Sequence, residues 1–232
     1  MLPIPAKPNA FDLESVGRGA VLMLNLPPDR RGRVHDLDIQ SLTEWKGILD
    51  GAFSVNLAAG SSIVGSNVRG SSEQFAAVNA LDGDGKTYWA TDDAVTDAEL
   101  IVELRTRTTF NVLQIREYIQ LGHRINSLTV DEWLDGSWAP WGTATSIGYQ
   151  RLLHLNPVST DRVRIRVSGP ACVAISAIGM YLLNAPDSEP VITPGVEASF
   201  RTSSRRRHSE PCCSSSQLRG DTSELRQPVL RI

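Results

Sequence analysis

The spacing of apolar residues changes along this chain, and that change constrains the fold more than any other feature. In Asp161–Val167, Val163, Ile165 and Val167 alternate with Arg162, Arg164 and Arg166. Successive side chains on a strand point to opposite faces, so this segment reads as a half-buried strand with its arginines outward. Phe110–Ile115 reads the same way, and Leu100–Leu104, Ser127–Trp133, Arg151–Leu155 and Ala174–Leu182 are further candidates. Turn residues separate them: Asp82-Gly83-Asp84-Gly85, Leu121-Gly122, Asp135-Gly136 and Ser168-Gly169-Pro170. Many short strands with such turns and no helical period predict an antiparallel β-sandwich over residues 53–184.

The flanks differ. Ala20–Leu26 is almost continuously apolar, as in a strand of a parallel sheet buried on both faces, and Pro27 and Pro28 end it. A polar loop leads to Asp36 as helix N-cap, with Ile39, Leu42, Lys46 and Leu49 on one face and Gly51 at the end. One strand–loop–helix unit cannot bury its strand twice, so residues 1–52 are expected to be part of a larger α/β domain. An unpaired apolar strand is also a template for self-association. From residue 185 to 232 the chain is rich in Ser and Arg and poor in apolar residues, which predicts a disordered tail. Its run Arg205-Arg206-Arg207 reads as a solvated stretch.

Net charge is -3, so no overall field favours nucleic acid or an anionic membrane. No apolar run is long enough to span a bilayer, and Met1–Phe11 lacks the apolar core of a secretory signal. Three cysteines make no disulfide framework; Cys172 reads as a buried thiol, Cys212 and Cys213 as unpaired thiols in the tail. Trp89, Trp133, Trp138 and Trp141 read as core or hairpin packing ahead of sugar-stacking platforms.

Several blocks resemble one family. Ser15–Gly32, with Leu22-Met23-Leu24-Asn25-Leu26 and Pro27-Pro28-Asp29-Arg30-Arg31-Gly32, resembles the last barrel strand and loop of bacterial and plant α-L-fucosidases. Ala80–Thr91 is similar to a turn of discoidin (coagulation-factor type C) domains. Gln114–Ile125 is similar to a fucosidase block in which Gln is usual at His123. Gly142-Thr143 with Ile147–Arg151 is similar to another, with Gln150 for Lys.

This resemblance implies a discoidin-like, galactose-binding-like sandwich preceded by a remnant of a (β/α)8 barrel. It implies a retaining glycosidase acting on fucosylated glycans, secreted or periplasmic as a whole protein. Retention needs two carboxyls about 5 Å apart. In the family both lie on earlier strands of a barrel of about 250 residues, so this chain is assigned no catalytic residue and is expected to be inert alone. A free-standing adhesion module is the alternative, and the Pro27–Gly32 loop argues against it.

Two candidate sites follow. Glu117, His123 and Arg124 form a polar cluster that suits a sugar, Glu117 accepting from hydroxyls and Arg124 donating. The competing reading is a buried Glu117–Arg124 salt bridge that fixes the loop. The resemblance also implies a Ca2+ site at the Ala80 carbonyl, Asp82 and Thr87, weakened because Ala177 stands where the family carries an acid; residue type alone makes the same stretch a β-turn.

Overall fold

The computed structural model describes residues 15–183. The predicted sandwich is present, built from seven strands: β1 (Ser62–Gly65), β2 (Trp89–Ala90), β3 (Asp97–Glu117), β4 (Ser127–Leu134), β5 (Ser137–Ala144), β6 (Arg151–Ser168) and β7 (Ala174–Tyr181). All pairings are antiparallel, in the order β2-β7-β3-β6-β4-β5, with β1 on the first half of β3.

Two of these strands are longer than the sequence suggests. Leu100–Leu104 and Phe110–Ile115 belong to one 21-residue strand, β3, and Arg151–Leu155 and Asp161–Val167 to one 18-residue strand, β6. The polar stretches between them are not turns. They are bends where both strands pass from one layer to the other, with register shifts between Glu103 and Thr108 and between Phe110 and Val112. A strand that changes layer needs such an irregularity, and Pro157, which cannot donate to a ladder, falls in it. Leu100, Val102, Val163 and Ile165 from one half share a core with Leu113, Ile115, Ile178 and Met180 from the other. β5 was not expected. It follows a hairpin in which Asp135 and Gly136 both have positive φ, 48° and 85°, the geometry that suits the right-handed twist of paired strands.

The outward arginines are as expected: Arg164 pairs across to Ile101 and Asp131, and Arg166 to Glu99 and Thr129. Trp89 is fully buried, its indole N–H donating to the Asn67 carbonyl at 2.8 Å. Trp141 meets Phe110 edge-on at 5.2 Å, and Trp133 and Trp138 pair across the hairpin at 4.9 Å.

The N-terminal segment departs from expectation. Ala20–Leu26 joins no sheet, and Val21 and Met23 are 86% and 90% exposed. Among the described residues it has no neighbouring strand, so its backbone has no ladder to enter. The helix forms as α1 (Asp36–Phe53), but His35 is its N-cap, Nδ1 accepting from the Leu37 amide at 3.2 Å; Asp36 and Asp38 complement the dipole from the first turn. Gly51 lies inside the helix. The buried face is Trp45, Ile48 and Ala52 rather than the one through Ile39 and Lys46, both exposed. Ile48, Ala52 and Phe53 cover Val112, Leu152, Tyr181 and Leu183 on the outside of the sheet, a small second core. Among the described residues no helix is long and apolar enough to cross a membrane. The basic run, Cys212 and Cys213 lie outside the described residues.

Candidate functional site

β3 ends at Glu117, and the chain there turns through Ile119–Leu121 before β4 begins. Glu117 is 3% exposed, and its carboxylate organises this turn. Oε1 accepts from the amides of Arg124 (3.0 Å) and Ile125 (2.6 Å). Oε2 accepts from the Gly148 amide at 2.8 Å and lies 2.6 Å from His123 Nδ1. Three backbone amides account for three of the carboxylate's roughly four lone-pair sites, so Nδ1 is the donor in the His123 contact. Glu117 therefore meets Arg124 through the backbone. The guanidinium points elsewhere: Nε donates to the Leu121 carbonyl at 3.1 Å, and Nη1 reaches the Cys172 carbonyl at 3.4 Å and its Sγ at 2.7 Å.

The result is a loop pinned from below, with His123 half exposed and turning Nε2 away from Glu117. Among the described residues Arg124 Nη2 makes no hydrogen bond, and the guanidinium's charge acts on the nearby Asp93 carboxylate. Beside it stand groups that spacing did not reveal. Arg69 grips Asp93 with two hydrogen bonds, 2.6 and 3.0 Å, and approaches Cys172 Sγ at 3.9 Å. The Arg69 guanidinium holds the Asp93 carboxyl below its ordinary range, and the Gly70 amide does the same for Asp92. Tyr88 and Tyr118 stack at 3.9 Å, with Phe75 5.4 Å from Tyr88. Arg69 and Cys172 are 103 residues apart, so no local pattern could join them. Cys172 is buried as expected, but it sits in the loop before β7 and its thiol is an acceptor for this cluster.

The second candidate site is separate. Asp82 Oδ1 accepts from the Asp84 amide at 2.8 Å, and Oδ2 from the Thr87 hydroxyl at 2.6 Å; that hydroxyl also lies 2.8 Å from the Asp84 carbonyl. The turn thus closes on its own hydrogen bonds. Ca2+ takes six to eight oxygens with several carboxylates. One carboxylate, one hydroxyl and the Ala80 carbonyl fall short of that. Ala177 lies in β7 opposite Arg116, and no group of three acidic, His or Cys side chains among the described residues converges for a metal. No function is derived through Ca2+ at this turn.

Comparison with known proteins agrees with this fold. The F5/8 type C domain family matches residues 59–178. A rice protein provisionally named α-L-fucosidase 1 (Oryza sativa subsp. japonica) is 34% identical over 171 residues, covering 72% of this chain and 33% of its own length. α-L-Fucosidase 1 of Arabidopsis thaliana is 34% identical over 173 residues, covering 72% and 34%. Among solved structures, a Ruminococcus gnavus GH29 fucosidase in complex with fucose superposes with TM-score 0.71 and 32% identity, covering 75% of this chain and 36% of that one. The chain spans about a third of the length of the curated relatives it matches. It belongs to the F5/8 type C domain family, and over most of its length it is similar to the C-terminal third of α-L-fucosidases.

Proposed function

We propose that this chain is the C-terminal, accessory part of an α-L-fucosidase. In that reading residues 53–184 are the sandwich, residues 1–52 the last strand–loop–helix unit of a catalytic barrel, and residues 185–232 a tail. The carrying observation is the extent of the relationship. The match to the rice protein runs over 171 residues, whereas residues 59–178 number only 120, so the likeness extends past the sandwich. A free-standing adhesion domain has no use for the extra part.

In the whole protein two carboxyls outside this chain cleave the fucosyl bond. The sandwich contributes glycan contact at the loop held by Glu117. His123 Nε2 and Arg124 Nη2 serve sugar hydroxyls, and the carboxylate beneath keeps the loop in place without touching sugar. The rigid support lowers the ordering cost of binding. Two measurements on the purified chain test this. Calorimetric titration with fucosyllactose should show weak binding that His123→Ala and Arg124→Ala abolish; unchanged binding in both variants removes the site. An aryl α-L-fucoside should not be turned over. Turnover that survives purification and vanishes on mutating a residue of this chain would show that the catalytic groups lie within it.

A further inference from the structure

The outer face of the sheet carries a second polar surface that the loop site does not use. Where β3, β6 and β4 run side by side, two cross-strand rows face outward: Asp97–Ser168–Ser127 and Glu99–Arg166–Thr129. With Ser66 they line a groove of about 420 Å³. Glu99 and Arg166 are direct cross-strand partners, and opposite charges there normally pair. Here they do not. Arg166 is drawn the other way by Asp131, donating Nε to Oδ2 and Nη2 to Oδ1, both at 3.0 Å. Arg164 Nε adds a third bond to Asp131 at 2.9 Å and lies over the Trp138 ring at 4.8 Å. Asp131 is 1% exposed, so the clamp is rigid. The carboxylate of Glu99 is left facing the groove with no partner among the described residues.

We propose that this groove binds a neutral oligosaccharide. A sugar hydroxyl is donor and acceptor at once, so one residue can donate to Glu99 and accept from the fixed Arg166 fork. The Ser66, Ser127 and Thr129 hydroxyls serve its neighbours. Two carboxylates, Glu99 and Asp97, the latter accepting from the Thr96 hydroxyl at 3.0 Å, reject an anionic ligand by repulsion. The groove ends at Ser168, next to Gly169, which packs against the Arg124 backbone, so a chain lying in it leads toward the loop site. The groove stands on its own geometry and does not need that site to bind.

Amide NMR on the full chain tests the proposal, with fucosyllactose and maltohexaose as probes taken well above millimolar concentration. Saturable shifts are expected at Ser66, Glu99, Thr129 and Arg166 with at least one of the two. Glu99→Gln keeps the side chain's size and removes no contact within the chain, so its melting temperature should match the parent. Its Kd should rise about tenfold, the value of a hydrogen bond to a charged group. Thr129→Val should weaken binding by a smaller factor, and His123→Ala should leave the groove shifts in place. Absence of groove shifts with both probes, or an unchanged Kd in Glu99→Gln, overturns the proposal. Groove shifts lost in His123→Ala would assign them to the loop and overturn it as well.

Discussion

Glu117 and Arg124 meet through an amide and not through their charges: the carboxylate takes the Arg124 N–H at 3.0 Å, and the guanidinium turns to Cys172. This separates two roles that a sequence would assign to one ion pair. Glu117→Ala should leave the amides of Arg124, Ile125 and Gly148 without their acceptor and cost about 3 kcal/mol. Arg124→Ala should cost about 1 kcal/mol, since its guanidinium bonds are partly exposed. Urea denaturation of both variants measures the gap. Equal losses would mean that the charges, and not the amides, hold the loop.

A buried histidine makes stability depend on pH. His154 is 8% exposed, 3.4 Å from the Asn111 side-chain nitrogen, and burial pushes its pKa below the ordinary 6.5. The native state therefore binds its proton more weakly than the unfolded chain does. Below about pH 6.5 the unfolded chain gains that proton first, so stability falls as pH drops until the lower native pKa is passed. Above pH 6.5 this residue contributes no slope. His154→Gln should flatten that part of the profile relative to the parent, with melting temperature against pH as the readout. Parallel profiles would assign the slope to other groups.

The exposed N-terminal run should drive self-association. Val21 and Met23 project into solvent from a backbone outside any sheet. Replacing both with Asp should convert concentration-dependent oligomers to monomer in light scattering. Removing residues 1–51 altogether should do something different. It strips Ile48 from Val112, Leu152, Tyr181 and Leu183, exposing a new apolar patch and lowering stability by about 2 kcal/mol. Oligomers that persist in the double Asp variant would move the seam elsewhere.

Gly169 is a packing requirement. A methyl group there would run into the Arg124 carbonyl oxygen, which belongs to backbone and cannot swing aside. Gly169→Ala should cost about 3 kcal/mol and shift the His123 loop, whereas Gly85→Ala, with open space around it, should cost little. Comparing the two melting temperatures settles the point.

How much of this was legible beforehand follows from range. The alternation of Val163, Ile165 and Val167 is local, and so is the Asp135-Gly136 turn; both could be read directly. β5 escaped because Trp138, Pro140 and Gly142 break the alternation while pairing still holds it in the sheet. The continuity of β3 escaped because Arg105–Thr109 is polar, as an exposed bend must be. At Ala20–Leu26 the composition suits a strand, but no strand among the described residues pairs with it. At the loop site, Glu117, His123 and Arg124 could be named from one short block. Arg69, Asp93 and Cys172 come from three distant loops that only the folded chain assembles.

The bend in β3 has a consequence for a cleaved molecule. Arg105 and Arg107 lie exposed where the strand changes layer, and a trypsin-like protease can cut there. β6 crosses the same corner as an unbroken strand, paired to β3 from Leu100–Ile165 on one side to Ile115–Arg151 on the other. A chain nicked at the corner would be two polypeptides laced by one uncut strand. It should migrate as a single particle until denaturant is added, and only then fall into pieces.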